Sequence, residues 1–229
     1  MEKKIVGILA GMGPRSTAPF ISSVIDECQI QYGAKHDEDF PHMMIYSLPT
    51  PFYIDRPINH ELMKNTLING LKHLENSDVC FIAMPCNSAH MYYSELQHSI
   101  KIPLLNIITE TVQQLPHTLE RVTLFSTKST FETEIYQRGI INSGHKFVFE
   151  NVWQDNINEL IINIKNNKHA KENRTYWNEL IKKCKEKKVD RIIVACTDLN
   201  VVLSRNDINI KVTDSSQCLA KAIVREYLR

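Results

Sequence analysis

The sequence lacks the features that mark several large classes of protein. None of its apolar runs approaches the roughly 20 residues that a transmembrane helix needs. Its 27 lysine and arginine residues are balanced by 26 aspartate and glutamate residues, so no bulk positive charge exists to attract nucleic acid or an anionic membrane. The six cysteines include no CxxC pair and no zinc-ligand spacing. Because the first ten residues predict a strand rather than a signal peptide, we expect a soluble cytoplasmic protein with reduced thiols.

Short apolar segments alternate with longer segments of helical periodicity along the chain. This alternation predicts βαβ units and therefore an α/β fold built on parallel sheets. The predicted strands are Ile5–Leu9, Met43–Ser47, Val79–Met84, Leu104–Asn106, Val122–Phe125, Phe147–Phe149, Ile192–Ala195 and Lys211–Thr213. The predicted helices are Ser16–Tyr32, Glu61–Glu75, Ala89–Ser99, Thr109–Leu115, Thr130–Asn142, Asn156–Asn166, Lys171–Lys187 and Ser216–Leu228.

The order of the predicted elements repeats once. In each half a first strand leads into a loop of small residues, and a later strand ends in a cysteine that precedes a helix and a short strand. A single long repeat of this kind predicts a duplicated domain rather than a solenoid. We therefore expect two similar α/β lobes, each a mainly parallel open sheet flanked by helices. The first comprises residues 1–112, joined by a C-terminal helix at 214–229, and the second comprises residues 113–213.

Two cysteines follow directly on predicted strands. Cys86 lies in Met84-Pro85-Cys86-Asn87-Ser88-Ala89-His90, and Cys196 lies in Ala195-Cys196-Thr197-Asp198. Ligands bind at this carboxyl edge in open α/β sheets. A thiolate can remove the proton of an α-carbon, and a second thiol can supply a proton to the opposite face. The pair therefore predicts a racemase whose chemistry needs no cofactor and no metal.

The other four cysteines fall inside predicted helices or strands. Cysteine is among the most buried residue types and is usually inert in such positions. We expect these four thiols to be structural: Cys28, Cys80, Cys184 and Cys218.

Three motifs together resemble those of the aspartate/glutamate racemase family, and aspartate racemase in particular. They are Gly11-Met12-Gly13-Pro14 and the two cysteine motifs, and the resemblance spans nearly the whole chain. It implies two pseudo-symmetric lobes with the active site between them, one catalytic cysteine from each lobe, and a reaction without cofactor. It also implies a homodimer and places Met12 among the substrate-binding residues.

Two cations are candidates for binding carboxylates of the substrate. Arg56 lies on the loop after the second strand, where the resemblance implies an arginine for the side-chain carboxylate. A guanidinium suits this role because it donates two parallel hydrogen bonds; the alternative is a solvated loop arginine. Lys165 resembles a family lysine near the substrate, although lysines at helix ends are commonly solvated or favoured by the helix dipole.

Polar residues near the strand ends are further candidates. Backbone amides and side chains of Asn87, Ser88 and Thr197 suit an α-carboxylate and a carbanion-like transition state. The hydroxyls of Ser126, Thr127 and Ser129 adjoin a predicted helix start, which suits an anion; simple helix capping by Ser129 is the alternative. His90 either tunes the Cys86 thiol or serves as a packed or capping histidine.

The chain departs from the family pattern at two of these positions. Asp198, a further candidate substrate-binding residue, follows Thr197 where many members carry glutamate, which leaves the choice between aspartate and glutamate open. Ser88 stands where threonine is common.

The function that these residues predict is racemisation of an acidic amino acid, aspartate first and glutamate second. One alternative is a related cysteine-dependent enzyme of the hydantoin racemase, maleate isomerase or arylmalonate decarboxylase type. The other is a catalytically silent protein that binds an acidic ligand, since a fold alone does not determine function. The expected partner is a small acidic amino acid.

Overall fold

A computed structural model of the protein describes residues 4–53, 56–166, 170–203 and 210–229. The strands are β1 (Ile5–Ala10), β2 (His42–Ser47), β3 (Phe81–Ala83), β4 (Leu104–Leu105), β5 (Arg121–Ser126), β6 (Lys146–Phe147), β7 (Arg191–Ala195) and β8 (Lys211–Asp214). The α-helices are α1 (Thr17–Tyr32), α2 (His60–Glu75), α3 (Tyr93–His98), α4 (Ile107–Val112), α5 (Lys128–Glu132), α6 (Ile135–Asn142), α7 (Asn151–Lys165), α8 (Ala170–Glu186), α9 (Asn200–Leu203) and α10 (Ser215–Tyr227). Short 3₁₀ helices occupy Pro14–Ser16, Asp37–Asp39, Ser88–Tyr92 and Thr197–Leu199.

The strands form two four-stranded sheets of the same topology. Their orders are β2-β1-β3-β4 and β6-β5-β7-β8, and every neighbouring pair is parallel. The second order repeats the first with each strand number raised by four. The predicted α/β class, with two mainly parallel sheets flanked by helices, is therefore confirmed.

Each sheet belongs to a compact unit of its own. The described residues up to Glu110 form the first unit together with Ser216–Arg229, and those of Thr111–Ser215 form the second. Helix α10 joins the first unit through specific contacts. Arg225 donates to a Glu110 carboxylate oxygen at 2.8 Å, and the Lys4 ammonium donates to the Glu226 carbonyl at 3.0 Å.

Regular apolar spacing explains why the main helices pack on the sheets. Helix α2 buries Leu67, Leu71 and Leu74 against the strands of the first unit, because residues three or four apart share one face of a helix. Helix α7 buries Trp153 and Ile157 with three further apolar residues in the same way: Leu160, Ile161 and Ile164. The sequence prediction began this helix at Asn156, whereas the buried stripe continues back to Trp153 and the helix begins at Asn151.

Two predicted helices are divided in the structure. The segment predicted as Thr130–Asn142 is α5 and α6, separated at Glu134, whose φ of 56° is incompatible with a continuous right-handed helix. The segment predicted as Ala89–Ser99 begins with the tighter 3₁₀ turn Ser88–Tyr92 before α3. The remaining predicted elements are present with shifted ends.

The prediction for Cys80 is wrong. The strand predicted as Val79–Met84 is only Phe81–Ala83, and Cys80 precedes it with an exposed side chain. Its backbone N–H still donates to the Ile5 carbonyl at 2.8 Å, so the residue lies at the amino edge of the sheet, where the side chain faces solvent. Cys28, Cys184 and Cys218 are buried as predicted.

Candidate active site

The topology of each sheet creates one preferred site for a ligand. In the order β2-β1-β3-β4, the connections of β1 and β3 leave in opposite directions. Their carboxyl ends therefore flank the topological switch point, where α/β proteins bind ligands. The loops after β1 and β3 carry Met12 and Cys86 in the first unit. The loops after β5 and β7 carry Thr127 and Cys196 in the second.

The Cys86 loop is short and tightly hydrogen-bonded. The backbone N–H of Cys86 donates to the Met84 carbonyl at 2.8 Å, and that of His90 donates to the Asn87 carbonyl at 3.1 Å. Cys86 is half-buried, whereas Asn87 and Ser88 are buried. The turn thus leaves Cys86 partly accessible, while the two residues that follow it are buried.

The loop after β1 depends on a glycine. Gly11 has a φ of 92°, and a Cβ at this position would lie 2.6 Å from the Leu48 backbone nitrogen, so a larger residue is excluded. The Gly11 N–H donates to Thr17 Oγ1 at 3.2 Å. Ser16 is the N-cap residue of α1, and its side chain makes no capping hydrogen bond. Met12 is buried in the apolar cluster against which Cys86 also packs.

Arg56 lies on the loop after β2, at the same sheet edge as Cys86. Its side chain is exposed, and its guanidinium carbon is 4.4 Å from the centre of the Tyr53 ring, a cation–π distance. Phe52 and Ile58, on either side in the sequence, pack on the apolar cluster that contacts Cys86. The cation therefore lies on a loop whose flanking residues pack on the same apolar cluster as Cys86.

The Cys196 loop is more enclosed. Cys196 is 6% exposed, and the turn Thr197–Leu199 begins directly after it, with the Leu199 N–H donating to the Cys196 carbonyl at 3.0 Å. Thr197 and Asp198 are also buried. An Asp198 carboxylate oxygen lies 2.8 Å from the Lys165 ammonium at the end of α7. Two residues that the sequence prediction assigned separately to the substrate thus form one ion pair.

The candidate hydroxyl residues lie at the end of β5, which is paired with the end of β7 that precedes Cys196. Ser126 is the register partner of Ala195 and is fully buried. The cap of α5 is Thr127, whose Oγ1 accepts the Thr130 N–H at 3.2 Å; the predicted cap, Ser129, is instead 3.0 Å from that hydroxyl. Helix α5 has only five residues, so its start is a weak dipole for an anion.

Two polar contacts of the site were missed by the sequence prediction. Gln154 donates to the Ser126 carbonyl at 3.0 Å, and its own buried Oε1 lacks a hydrogen-bond partner among the described residues. A signal for this contact was present in the sequence: Gln154 directly follows Trp153, just before the predicted start of α7. In the first unit, Nδ1 of His60 and the hydroxyl of Tyr92 are 2.7 Å apart, a long-range contact without a sequence signal.

His90 is buried beside the first thiol. Its Nδ1 is 2.8 Å from the Cys86 carbonyl oxygen. Burial lowers the pKa of His90 and outweighs its two contacts with backbone carbonyls. The imidazole is therefore neutral near neutral pH.

Two further features are absent from the residues that the structure describes. No cluster of three or more histidine, cysteine, aspartate or glutamate side chains there has a metal-binding arrangement. Likewise, none of the helices described for this chain combines the length and apolarity required to cross a bilayer.

Comparison with known proteins assigns the family. Residues 9–223 match the sequence profile of the family described as Asp/Glu/Hydantoin racemase. The chain belongs to this family. It is 46% identical over 224 residues to a protein of Bacillus subtilis (strain 168) described as broad specificity amino-acid racemase RacX, covering 98% of both chains. The resemblance inferred from the three motifs and the predicted enzyme class, an amino-acid racemase, are therefore confirmed.

Solved structures of the family have the same fold. An aspartate racemase of Picrophilus torridus superposes with a TM-score of 0.85 at 31% identity, covering 98% of this chain and 94% of that one. A glutamate racemase of Francisella tularensis subsp. tularensis SCHU S4, in complex with D-glutamate, gives a TM-score of 0.66 at 14% identity, covering 100% and 82%. At that identity the second likeness concerns the fold alone.

Proposed function

We propose that the protein racemises amino acids without pyridoxal phosphate, using Cys86 and Cys196 as the paired acid and base. The observation that carries this proposal is the position of the two thiols. Each follows the central strand that flanks the switch point of its own sheet, β3 for Cys86 and β7 for Cys196. Equivalent positions in duplicated units supply one acid–base group each.

The proton balance of the reaction follows from this pairing. The thiolate of one cysteine removes the α-proton and becomes a thiol, while the thiol of the other donates a proton to the opposite face and becomes a thiolate. The substrate is inverted, and the two cysteines have exchanged protonation states. The reverse reaction therefore uses the same groups in exchanged roles.

The surrounding polar residues have assigned roles in the proposal. Asn87, Ser88 and Thr197 bind the α-carboxylate and stabilise the carbanion-like transition state. The buried hydroxyls of Ser126 and Thr127, with Ser129 beside them, bind the substrate on the side of Cys196. Met12 contributes an apolar contact next to Cys86.

An acidic amino acid is proposed as one substrate, because Arg56 lies on the loop after β2, at the same sheet edge as Cys86. The ion pair of Lys165 and Asp198, whose charged atoms are 2.8 Å apart, favours a broader range of amino-acid substrates. Asp198 neutralises the cation that would otherwise bind a second carboxylate, so the second unit adds little preference for acidic side chains. The curated relative described as broad in specificity agrees with this second reading.

The location and assembly of the protein are further parts of the proposal. We propose that the enzyme acts in the cytoplasm, and that it forms a homodimer, as the family resemblance implies. Analytical ultracentrifugation of the purified protein tests the dimer, and a monomer at micromolar concentration would exclude it.

Exchange of the α-hydrogen tests the function directly. The purified protein, without added pyridoxal phosphate, is incubated in deuterated buffer with each enantiomer of aspartate, glutamate and alanine. We expect loss of the α-proton NMR signal and appearance of the opposite enantiomer. Activity should persist after treatment with a carbonyl reagent that removes pyridoxal phosphate. An absence of exchange for every amino acid tested would refute racemisation.

Serine variants test the two thiols. Cys86→Ser and Cys196→Ser should each lower kcat by about 1,000-fold, because a hydroxyl is a much poorer base than a thiolate. Cys80→Ser is the matched control, since this exposed thiol precedes the same strand, and its activity should stay within about twofold of wild type. Full activity in both catalytic variants would exclude the two-thiol mechanism.

A further inference from the structure

His90 makes contacts on both sides of its ring within the first unit. The residue is 1% exposed and lies in the 3₁₀ turn Ser88–Tyr92 directly after Cys86. Nδ1 is 2.8 Å from the Cys86 carbonyl oxygen. On the other side, Nε2 is 3.3 Å from the backbone nitrogen of Ile107 and 3.3 Å from the Leu105 carbonyl oxygen, both near the end of β4. The ring therefore links the thiol loop to the neighbouring strand.

These contacts determine which nitrogen carries the proton. A carbonyl oxygen only accepts hydrogen bonds, so the short contact with Cys86 requires the proton on Nδ1. Nε2 then offers its lone pair to the Ile107 N–H. Burial lowers the pKa of this imidazole, which favours the neutral ring and thus a single proton. The tautomer follows from geometry, and the neutral charge agrees with it.

The hydrogen bond acts on a peptide group that adjoins the thiol. The Cys86 carbonyl and the Asn87 N–H belong to one planar unit and point in opposite directions. Fixing the carbonyl therefore fixes the direction of the Asn87 amide and the backbone rotation that aims the Cys86 side chain. Both groups have roles in the proposed reaction.

The ring itself is held in place by its neighbours. Tyr93 stacks nearly parallel to it, with an interplanar angle of 8° and 6.0 Å between ring centres. The Tyr93 hydroxyl donates to the Leu104 carbonyl at 3.0 Å. A group that is buried, stacked and hydrogen-bonded on both sides is suited to fix a loop rather than to exchange protons with solvent.

We infer that His90 is the positioning residue of the Cys86 thiol: its Nδ1–H fixes the Cys86 carbonyl, while its Nε2 anchors the loop through the Ile107 amide. This inference rests on the proposed function, since it assigns to Cys86 a role in proton transfer. Misplacement of a reacting group by about 1 Å can lower a rate by about 100-fold.

Two substitutions separate the two nitrogens of the ring. The side-chain amide of asparagine reaches approximately the position of Nδ1, and that of glutamine reaches the position of Nε2. We expect His90→Asn to keep the bond to the Cys86 carbonyl and to stay within about fivefold of the wild-type kcat. We expect His90→Gln to lose that bond and to lower kcat by about 100-fold, with KM changed less than about threefold. Equal losses of kcat in the two variants would overturn the inference.

The reactivity of the thiol gives a readout that a purely structural role would not move. The rate of alkylation of Cys86 is measured by peptide mass spectrometry as a function of pH, with Cys196 in the same sample as internal control. His90→Gln should shift the pH profile or the limiting rate of Cys86 alone, and His90→Asn should resemble wild type. An unchanged Cys86 profile in His90→Gln would contradict positioning. This assay stays informative if the wild-type protein shows no racemase activity. Failure of the positioning inference can therefore be distinguished from failure of the proposed function.

A measurement on the unaltered protein avoids dependence on the folding of variants. In a long-range ¹H–¹⁵N spectrum of histidine-labelled protein, His90 should show the Nδ1–H tautomer and remain neutral at pH 6.5, the ordinary histidine pKa. Observation of the Nε2–H tautomer, or of a doubly protonated ring at that pH, would overturn the inference.

Discussion

The two cysteine loops occupy equivalent places in the two sheets but are stabilised by different chemistry. Cys86 is half-buried, and a neutral histidine holds its carbonyl from within the same unit. Cys196 is 6% exposed and is followed by Asp198, whose carboxylate pairs with Lys165. One loop is fixed by an uncharged hydrogen bond and the other by an ion pair.

This difference indicates how the duplicated fold divides its tasks. The strand order that presents each thiol at the carboxyl edge is the same in both units. The residues that follow each thiol are not the same, so the two cysteine loops differ there in charge.

The contrast extends to the amino ends of the strands that carry the cysteines. Strand β7 begins at Arg191, which donates to Glu120 at 2.6 Å, and Lys211 of the neighbouring strand donates to the same carboxylate at 2.7 Å. Strand β3 begins after the exposed Cys80. The strand of the second unit is thus secured by a buried carboxylate with two cationic partners, so substitutions there should have the larger effect.

The largest effect is expected for Glu120→Gln. Its carboxylate side chain is 6% exposed, and the substitution leaves Arg191 without its charged partner. We expect the free energy of unfolding to fall by about 2 kcal/mol at neutral pH, since a hydrogen bond to a charged group contributes about 1.5–3 kcal/mol. Urea denaturation measures this loss. Glu132→Gln is the control, because this exposed residue pairs with Lys128 at 3.7 Å and should cost less than about 0.5 kcal/mol.

The same variant should change the response to acid. Burial opposes ionisation of Glu120, but the hydrogen bonds from Arg191 and Lys211 outweigh it and lower its pKa below the ordinary 4.5. The carboxylate therefore stabilises the fold above the unfolded pKa, and this contribution is lost as the pH falls through the folded value. The difference between wild type and Glu120→Gln should shrink below pH 4.5. A difference that stays constant there would show that the charge network does not secure β7.

Features of the site that depend on local sequence could be predicted, whereas those that depend on distant contacts could not. The positions of Cys86 and Cys196 at strand ends could be predicted, because an apolar run followed by small polar residues marks a local boundary. The pairing of Asp198 with Lys165 could not, since it depends on where α7 ends relative to a distant turn. The exposure of Cys80 was missed because an apolar run does not reveal how many of its residues find partners in the sheet. The break at Glu134 carries no glycine or proline to signal it.

A smaller effect, on substrate preference, tests the charges beside the two thiols. Asp198→Asn removes the carboxylate that pairs with Lys165 and should raise kcat/KM for aspartate relative to alanine by about tenfold. Arg56→Ala removes the cation on the loop after β2 and should lower the same ratio by about tenfold. Racemisation rates for both substrates at one ionic strength provide the ratio, which cancels any general loss of activity.

The control for this pair is Asp155→Asn, an exposed residue on α7, the helix that carries Lys165. It should leave the ratio unchanged. If Asp198→Asn lowered the aspartate preference, then the ion pair would not be what restrains binding of an acidic side chain. If Arg56→Ala changed both substrates equally, Arg56 would not contact the side-chain carboxylate.

The smallest perturbation compares the loops by the reactivity of their thiols in the native protein. Alkylation with iodoacetamide, followed peptide by peptide, should modify the exposed Cys80 first and Cys86 before the more enclosed Cys196. Burial raises the pKa of Cys184 from 9.0 to about 12, which lowers its thiolate population by about 1,000-fold at neutral pH. Cys184 should therefore stay unmodified until the protein unfolds, as should Cys28, whose pKa burial also raises. Modification of Cys196 before Cys86 would reverse the comparison, because it would make the loop secured by the ion pair the more accessible of the two.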